Sequence, residues 1–429
     1  MNGERRVALP VSAGIAALLG VAAILIPARC QVNELGHHHA EHRGDLRLGP
    51  APIGDRAARM AAACGAPGET TGGIRRKPYL QKVSSTGATV VWTTADAGAP
   101  DAQVLVWRGR DDSGGGGGAA VTVKARPDTG ANLLEGRQLL AELDGLAPGT
   151  LHCYELRVGG RRAAGPFGFT TAPARGTGAT LKMIAFGDMG YRTTDQRAVL
   201  ARMQRVDADL VLLAGDIAYT DGTLEEFEHN FFSVYAPMMQ SAAFFPASGN
   251  HDYRTDDAEP FRQVFVLPEN GGPAGLERWY SFDWGDAHIV VLDTEQLGRA
   301  QEAWLDADLT ATDARWVIAL FHKAPFSSGA RGADDATAHS LVPILARHRV
   351  PLVITGHEHH YERFEPIGPT TFIITGGGGR GTRPVSQHPP SALAEQVAHF
   401  VYLEVDATGI RLWAIDATGQ TFDTVKIER

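Results

Sequence analysis

Five short segments bearing metal-binding side chains are spread through the second half of this 429-residue chain, and they constrain its fold more than any other feature. They read Gly187-Asp188-Met189-Gly190, Gly215-Asp216-Ile217-Ala218-Tyr219, Gly249-Asn250-His251-Asp252, Leu320-Phe321-His322-Lys323 and Gly356-His357-Glu358-His359-His360-Tyr361-Glu362-Arg363. Most sit just past an apolar run with the length of a buried strand, such as Leu181 to Phe186, Leu210 to Ala214 or Leu352 to Thr355. Thr193 to Arg205, Gln301 to Leu309 and His339 to His348 have the apolar spacing of amphipathic helices. Trp279 to Trp284 and His288 to Asp293 read as two strands joined by a turn at Gly285. Strands alternating with helices make an α/β domain. Side chains at the carboxyl ends of its neighbouring parallel strands converge on one crevice.

The first half has a different rhythm. From about residue 75, short alternating strands separated by turns predict an all-β sandwich over 75–172. They are Ala88 to Thr94, Gln103 to Trp107, Ala120 to Lys124, Gln138 to Leu143 and Leu151 to Val158, with a glycine run over 114–118. The Pro148-Gly149-Thr150 turn and the strand after it resemble the corner of a fibronectin type III domain, with His152 at the usual tyrosine position and Tyr154 two residues on. Residues 30–74 are rich in Ala, Gly, Arg, His and Pro without periodicity and read as a disordered linker. The tract His37-His38-His39 within it reads as solvated rather than metal-binding.

Arg5 and Arg6 precede an apolar run from Val7 to Ile26, so residues 1–29 are expected to be a signal peptide or membrane anchor. The product is then exported, either secreted or associated with the cell envelope. Of three cysteines, Cys30 falls with that segment, while Cys64 and Cys153 have two readings. They pair in an oxidising compartment, or Cys153, alternating with Tyr154 in a strand, is a small buried thiol, which is the favoured reading. The net charge of −9 argues against wholesale binding of nucleic acid or anionic membrane. A phosphorylated small molecule remains a fitting partner, because cations supply a positive field locally.

The side chains themselves suit a pair of cations. Two ions ~3.5–4 Å apart clamp the attacking and leaving oxygens of an in-line displacement. Such a pair needs a bridging carboxylate and terminal ligands on each side. Asp188 is a hard oxygen donor, Asn250 a neutral one, and His322, His357 and His359 are imidazoles suited to iron, zinc or manganese. In Gly356-His357-Glu358-His359 a locally extended backbone turns both imidazoles the same way. Tyr219 is an unusual donor, since a phenol titrating near ~10 becomes a ligand only beside a strongly charged ion.

Together these motifs resemble the calcineurin-like metallophosphoesterases over roughly Leu181 to Gly381, and more narrowly the purple acid phosphatases. Tyr219 and the extension into Tyr361-Glu362-Arg363 carry the narrower likeness, and the sandwich in front matches the two-domain plan. The resemblance implies a four-layer α/β domain over 180–429, with mixed β-sheets flanked by helices. It implies a ferric site (Fe3+) of Asp188, Asp216, Tyr219 and His359, and a divalent site of Asp216, Asn250, His322 and His357 for zinc, iron or manganese, with Asp216 as the bridge. It implies acid phosphatase activity on phosphate monoesters, with a metal-bound hydroxide as nucleophile and His251 as the substrate-facing acid. Asp252 is expected to orient an imidazole.

One departure concerns a second histidine that relatives carry after the His322 motif. This chain has Arg331 there, which either contacts phosphate through its fork or lies on a surface loop. Gly376 to Gly379 lack the Lys-Ser or Lys-Thr of a nucleotide-binding loop and read as a tight turn passing near the metals. Two rival functions stay open: a phosphodiesterase or nucleotide-cleaving enzyme on the same fold, and a binding protein that works through its sandwich and keeps a vestigial metal site.

Overall fold

The computed structural model describes residues 48–71, 73–95, 101–110, 117–129 and 136–428. The expected export segment, the His37-His38-His39 tract and most of the 114–118 glycine run lie outside them. Eight strands come first: β1 (Tyr79–Gln81), β2 (Gly87–Thr94), β3 (Ala102–Arg108), β4 (Val121–Lys124), β5 (Arg126–Pro127), β6 (Arg137–Asp144), β7 (Leu151–Val158) and β8 (Arg161–Thr170). They pair antiparallel in two four-stranded sheets, ordered β1-β2-β6-β5 and β4-β3-β7-β8. Residues of β3 alternate between buried and half-buried, the period of a strand with one face in a core. Val90, Trp92, Val104, Tyr154 and Leu156 share that core.

At the corner, His152 Nε2 lies 3.3 Å from the Ala147 carbonyl, which also accepts from Thr171 Oγ1 at 2.7 Å. Tyr154 sends its hydroxyl to the Gln240 carbonyl instead, 3.0 Å away in the following domain. That exchange explains how a histidine can stand at the tyrosine position, since the turn closes without a phenol.

The expectation of a disordered linker fails inside its described part. Arg56–Cys64 is an α-helix whose amino end is capped by Asp55, accepting from the Ala58 N–H at 2.9 Å. An alanine-rich run behind an aspartate cap is a good helix former, whatever its overall composition suggests. Cys64 forms a disulfide with Cys153, which overturns the reading of Cys153 as a free buried thiol. The bond closes a separation of 89 residues.

The second part contains β9 (Leu181–Phe186), β10 (Leu210–Ala214), β11 (Ala243–Ala247), β12 (Tyr280–Trp284), β13 (Ala287–Val291), β14 (Trp316–Leu320), β15 (Leu352–Thr355), β16 (Tyr361–Phe364), β17 (Thr371–Thr375), β18 (Ser391–Glu395), β19 (His399–Asp406), β20 (Gly409–Asp416) and β21 (Thr421–Ile427). A six-stranded sheet is ordered β11-β10-β9-β19-β20-β21 and a seven-stranded sheet β12-β13-β14-β15-β17-β16-β18. Both are mixed, with β9, β10 and β11 parallel in the first and β13, β14, β15 and β17 parallel in the second.

Side-chain alternation sorts the seven-stranded sheet between two cores. Ile318, Leu320, Leu352 and Ile354 join the six-stranded sheet and the sandwich in one cluster. Ala319, Phe321 and Val353 pack instead with Leu305 and Leu309 of helix Arg299–Ala311 and Leu341 and Leu345 of helix Asp335–Arg347. The sheets thus face each other, and helices cover the outer face of the second. Among the described residues no helix is long and apolar enough to cross a membrane.

Candidate metal centre

Each candidate ligand loop begins where a parallel strand ends. Asp188, Asp216, His322 and His357 stand two residues beyond β9, β10, β14 and β15, and Asn250 three beyond β11. Three strands belong to one sheet and two to the other, so the loops meet at the rim between them. The loops are kinked tightly, with Asp188, Asp216 and His357 at φ of 60°, 53° and 68°, a region costly for residues with a Cβ. Two glycines let them approach: a Cβ on Gly249 would stand 2.3 Å from Asp216 Oδ1, and one on Gly356 2.7 Å from Asp188 Oδ2.

All seven expected ligands come together, in two halves that share Asp216. In one half the Tyr219 hydroxyl donates to Asp188 Oδ1 at 2.9 Å and Asp216 Oδ2 at 2.8 Å, with His359 Nε2 at 3.3 Å. In the other, His322 Nε2 lies 3.3 Å from Asp216 Oδ1, 3.3 Å from Asn250 Oδ1 and 3.2 Å from His357 Nδ1. Ligand atoms of Asp216, His322 and His357 all fall within 4.8 Å of one another. The far nitrogens are held by backbone: His322 Nδ1 lies 2.7 Å from the Ala214 carbonyl and His359 Nδ1 2.9 Å from that of Gly381. Such partners fix which nitrogen faces inward.

The residues fit a pair of cations. Asp188 and Asp216 are 0% and 1% exposed, and two carboxylates buried side by side need positive charge nearby. The same field acts on His322: burial alone would lower its pKa, yet Asp216 and Asp188 carry it up to about 10. His357 goes the other way, down to about 3, through burial and the neighbouring His322 charge. The surroundings thus push these two imidazoles in opposite directions.

Two expectations change in detail. His357 and His359 do converge, but through the positive-φ kink at His357 rather than an extended backbone, and Asp188 Oδ2 holds that kink by accepting the His357 N–H at 2.8 Å. Among the described residues Asp252 bonds no imidazole: it accepts from the backbone N–H groups of Gly249 at 2.8 Å, Ile217 at 3.0 Å and Ala218 at 3.2 Å. It ties the Asp216 loop to the Asn250 loop, because its two oxygens are already taken up by main chain. Glu362 and Arg363 find their partners separately. Glu362 Oε2 lies 3.1 Å from His360 Nε2, and Arg363 Nε lies 2.6 Å from Asp423 Oδ2.

Around the ligands, His251 Nδ1 sits 2.6 Å from the Thr220 carbonyl, which leaves Nε2 directed at the cluster, 3.9 Å from Asp216 Oδ2. Arg331 is exposed, with Nη1 3.3 Å from His357 Nε2. Sequence reasoning missed Tyr191, Arg380 and Arg383. Arg380 places its guanidinium 3.9 Å from the Tyr191 ring centroid and 5.2 Å from that of Tyr219, and Arg383 donates to the His357 carbonyl at 2.9 Å. A signal existed, since both arginines follow the glycine turn after β17. A cavity of about 710 Å³ lies elsewhere, between the sandwich and the Phe227–Phe232 segment, and holds none of the ligands.

A calcineurin-like phosphoesterase model matches residues 181–361, the stretch that runs from β9 through all five ligand loops. Purple acid phosphatase 22 of Arabidopsis thaliana is 28% identical over 266 residues, covering 56% of this chain and 59% of that protein. An uncharacterised Mycobacterium tuberculosis protein is 26% identical over 426 residues, covering 85% of this chain and 74% of its own length. The structure of a purple acid phosphatase from yellow lupin seeds superposes with a TM-score of 0.70 at 21% identity, over 82% of this chain and 74% of that one. The chain spans 53–60% of the length of the first curated relatives it matches. Residues 181–361 match a calcineurin-like phosphoesterase domain, and purple acid phosphatases are among the proteins this chain is similar to.

Proposed function

We propose that this chain hydrolyses phosphate monoesters as an acid phosphatase, with Fe3+ in the half-site of Asp188, Asp216, Tyr219 and His359 and a divalent ion (zinc, iron or manganese) in that of Asp216, Asn250, His322 and His357. The observation that carries this reading is the Asp216 carboxylate, which turns Oδ2 to the tyrosine half and Oδ1 to the histidine half. When bound, such a cation pair polarises the phosphoryl oxygens and activates a water. The chain's own residues do the rest. His251, steadied through Nδ1 by the Thr220 carbonyl, directs Nε2 to where a leaving-group oxygen takes a proton, a role typically worth about 10²–10⁴-fold. Arg331 reaches over His357 with free donors for a phosphate oxygen. Asp252 keeps the two loops in register. The Cys64–Cys153 disulfide suits an oxidising compartment, in line with export.

The test is kcat/KM of the metal-loaded protein on an aryl phosphate monoester and on the matching diester, with Asp216→Asn alongside. We expect a clear monoester preference. Loss of a shared ligand should cost at least the roughly 100-fold seen when mere supporting partners are removed, with folding unchanged by circular dichroism. A diester preference would move the function to nucleotide or phospholipid cleavage. Full activity of Asp216→Asn would remove Asp216 from the bridge.

A further inference from the structure

Three arginines crowd the mouth of the ligand cluster, and among the described residues Arg331, Arg380 and Arg383 make no ion pair with a carboxylate. Yet the chain as a whole carries a net charge of −9, with acids to spare. Crowded, unpaired guanidinium groups are costly unless an anion joins them. A single scissile phosphate is already served by the cations and Arg331.

Arg380 is the most available of the three. Arg331 touches His357 and Arg383 is bound to the His357 carbonyl, whereas the Arg380 guanidinium has no hydrogen-bond partner among the described residues. It is aimed rather than loose. Its backbone N–H donates to the Asp188 carbonyl at 2.8 Å, one residue past the glycine turn. Its guanidinium lies over the face of Tyr191, and Tyr191 stands edge-on to Tyr219 with ring centroids 6.3 Å apart. Tyr191 is 43% exposed, one of few large hydrophobic side chains left open to solvent. A planar fork parked on an aromatic face keeps all five N–H donors free at its edge, which is how arginine meets phosphate in bidentate fashion.

We propose that Arg380, positioned by Tyr191, binds a second phosphoryl group on the leaving-group side of the substrate, so that the preferred substrates carry two phosphoryl groups close together. This rests on the phosphoesterase reading of the metal centre. Hydrolysis of such a compound follows the same balance as a simple ester. Water's oxygen bonds to the terminal phosphorus, the bridging oxygen leaves with a proton, and no further reactant is needed.

The test pairs turnover with binding. For turnover, the ratio of kcat/KM on ADP to that on AMP is measured in wild type, Arg380→Gln and Arg380→Lys, with adenosine 3′,5′-bisphosphate as a third substrate. For binding, calorimetry compares methylenediphosphonate with methylphosphonate on the full chain. We expect Arg380→Gln to lower the ADP-to-AMP ratio and the diphosphonate-to-phosphonate affinity ratio by about tenfold each, the loss of one charged hydrogen-bonding partner. Arg380→Lys, which keeps the charge but loses the fork, should recover part of both. A matching fall for the 3′,5′-bisphosphate would extend the subsite to bisphosphate esters; a fall for ADP alone confines it to diphosphates. Equal losses on both members of each pair, or none, would overturn the subsite. Absence of all turnover would overturn the phosphoesterase reading instead, and the binding ratio would still decide on Arg380.

Discussion

Tyr219 touches Asp188, Asp216 and His359 through a single oxygen. Burial and the two carboxylates hold its phenol far above the usual value, so it keeps its single proton, which lies between the two acids. Only a strongly charged cation in contact with that oxygen turns it into a ligand, which is why the residue speaks for a trivalent ion. The iron-loaded protein should therefore be violet, and Tyr219→Phe should lose that absorption while its far-ultraviolet circular dichroism stays the same. A colourless wild type with iron bound would remove iron(III)–phenolate from the site and leave the phosphoesterase reading standing. The cluster of candidate ligands was legible because acids, an amide and imidazoles recur just past apolar strand-length runs in the sequence. Arg380 and Tyr191 were not, since an arginine or tyrosine in a loop is ordinary until its neighbours are known. Asp252 was misread for a related reason: a carboxylate beside a histidine invites an imidazole partner, but three main-chain N–H groups were closer.

Between elements, His288 joins β13 to its neighbours on both sides. Directly opposite it on β12, Asp283 Oδ1 lies 2.8 Å from Nδ1, and Asp308 Oδ2 of helix Arg299–Ala311 lies 2.8 Å from Nε2. Burial alone would lower the pKa of this imidazole, but the two acids raise it to about 9. A histidine raised from ~6.5 contributes its full stability below that value and loses it as pH climbs through about 9. With Asp283 exposed to solvent, about 2 kcal/mol is a reasonable size for the effect. Urea unfolding should show His288→Gln destabilised by that amount at pH 6 and the gap mostly closed by pH 9.5. A gap that stays constant would mean the imidazole acts by packing alone. Elements such as β9, β10 and β15 were visible because each is an unbroken apolar run before a ligand. The strands β19, β20 and β21 were not assigned, and β19 reaches across more than half the domain to pair with β9, a contact no local pattern reveals.

Across the whole molecule, the helix Arg56–Cys64 fastens two domains at once. Its carboxyl end is bonded to the sandwich through Cys64–Cys153, and its amino end is salt-bridged to the phosphoesterase domain, with Arg56 on Asp209 and Arg59 Nη2 2.7 Å from Asp207 Oδ1. Around it, the sandwich reaches the same domain through side chains that seek main chain: Gln81 Nε2 to the Phe244 carbonyl at 3.0 Å, Gln138 Nε2 to that of Gln263 at 2.8 Å. These bonds need both partners in place before they form, whereas the disulfide restricts the chain before folding as well as after. A crosslink over 89 residues typically stabilises by about 2–4 kcal/mol. Reductant should therefore lower the melting temperature of the wild type, and Cys64→Ala/Cys153→Ala should melt lower still or equally and ignore reductant. If the helix also transmits that restraint to the metal centre, activity on an aryl phosphate would fall in step with the bond. Toward the phosphoesterase domain, the arginines of the strap bond Asp207, Asp209 and the Ser241 carbonyl among the described residues, and these precede β10 and β11 at the strand ends opposite their ligand loops. We therefore expect stability to drop while kcat/KM at 25 °C holds, and a parallel loss of both would show that the strap holds the metal centre as well as the domains.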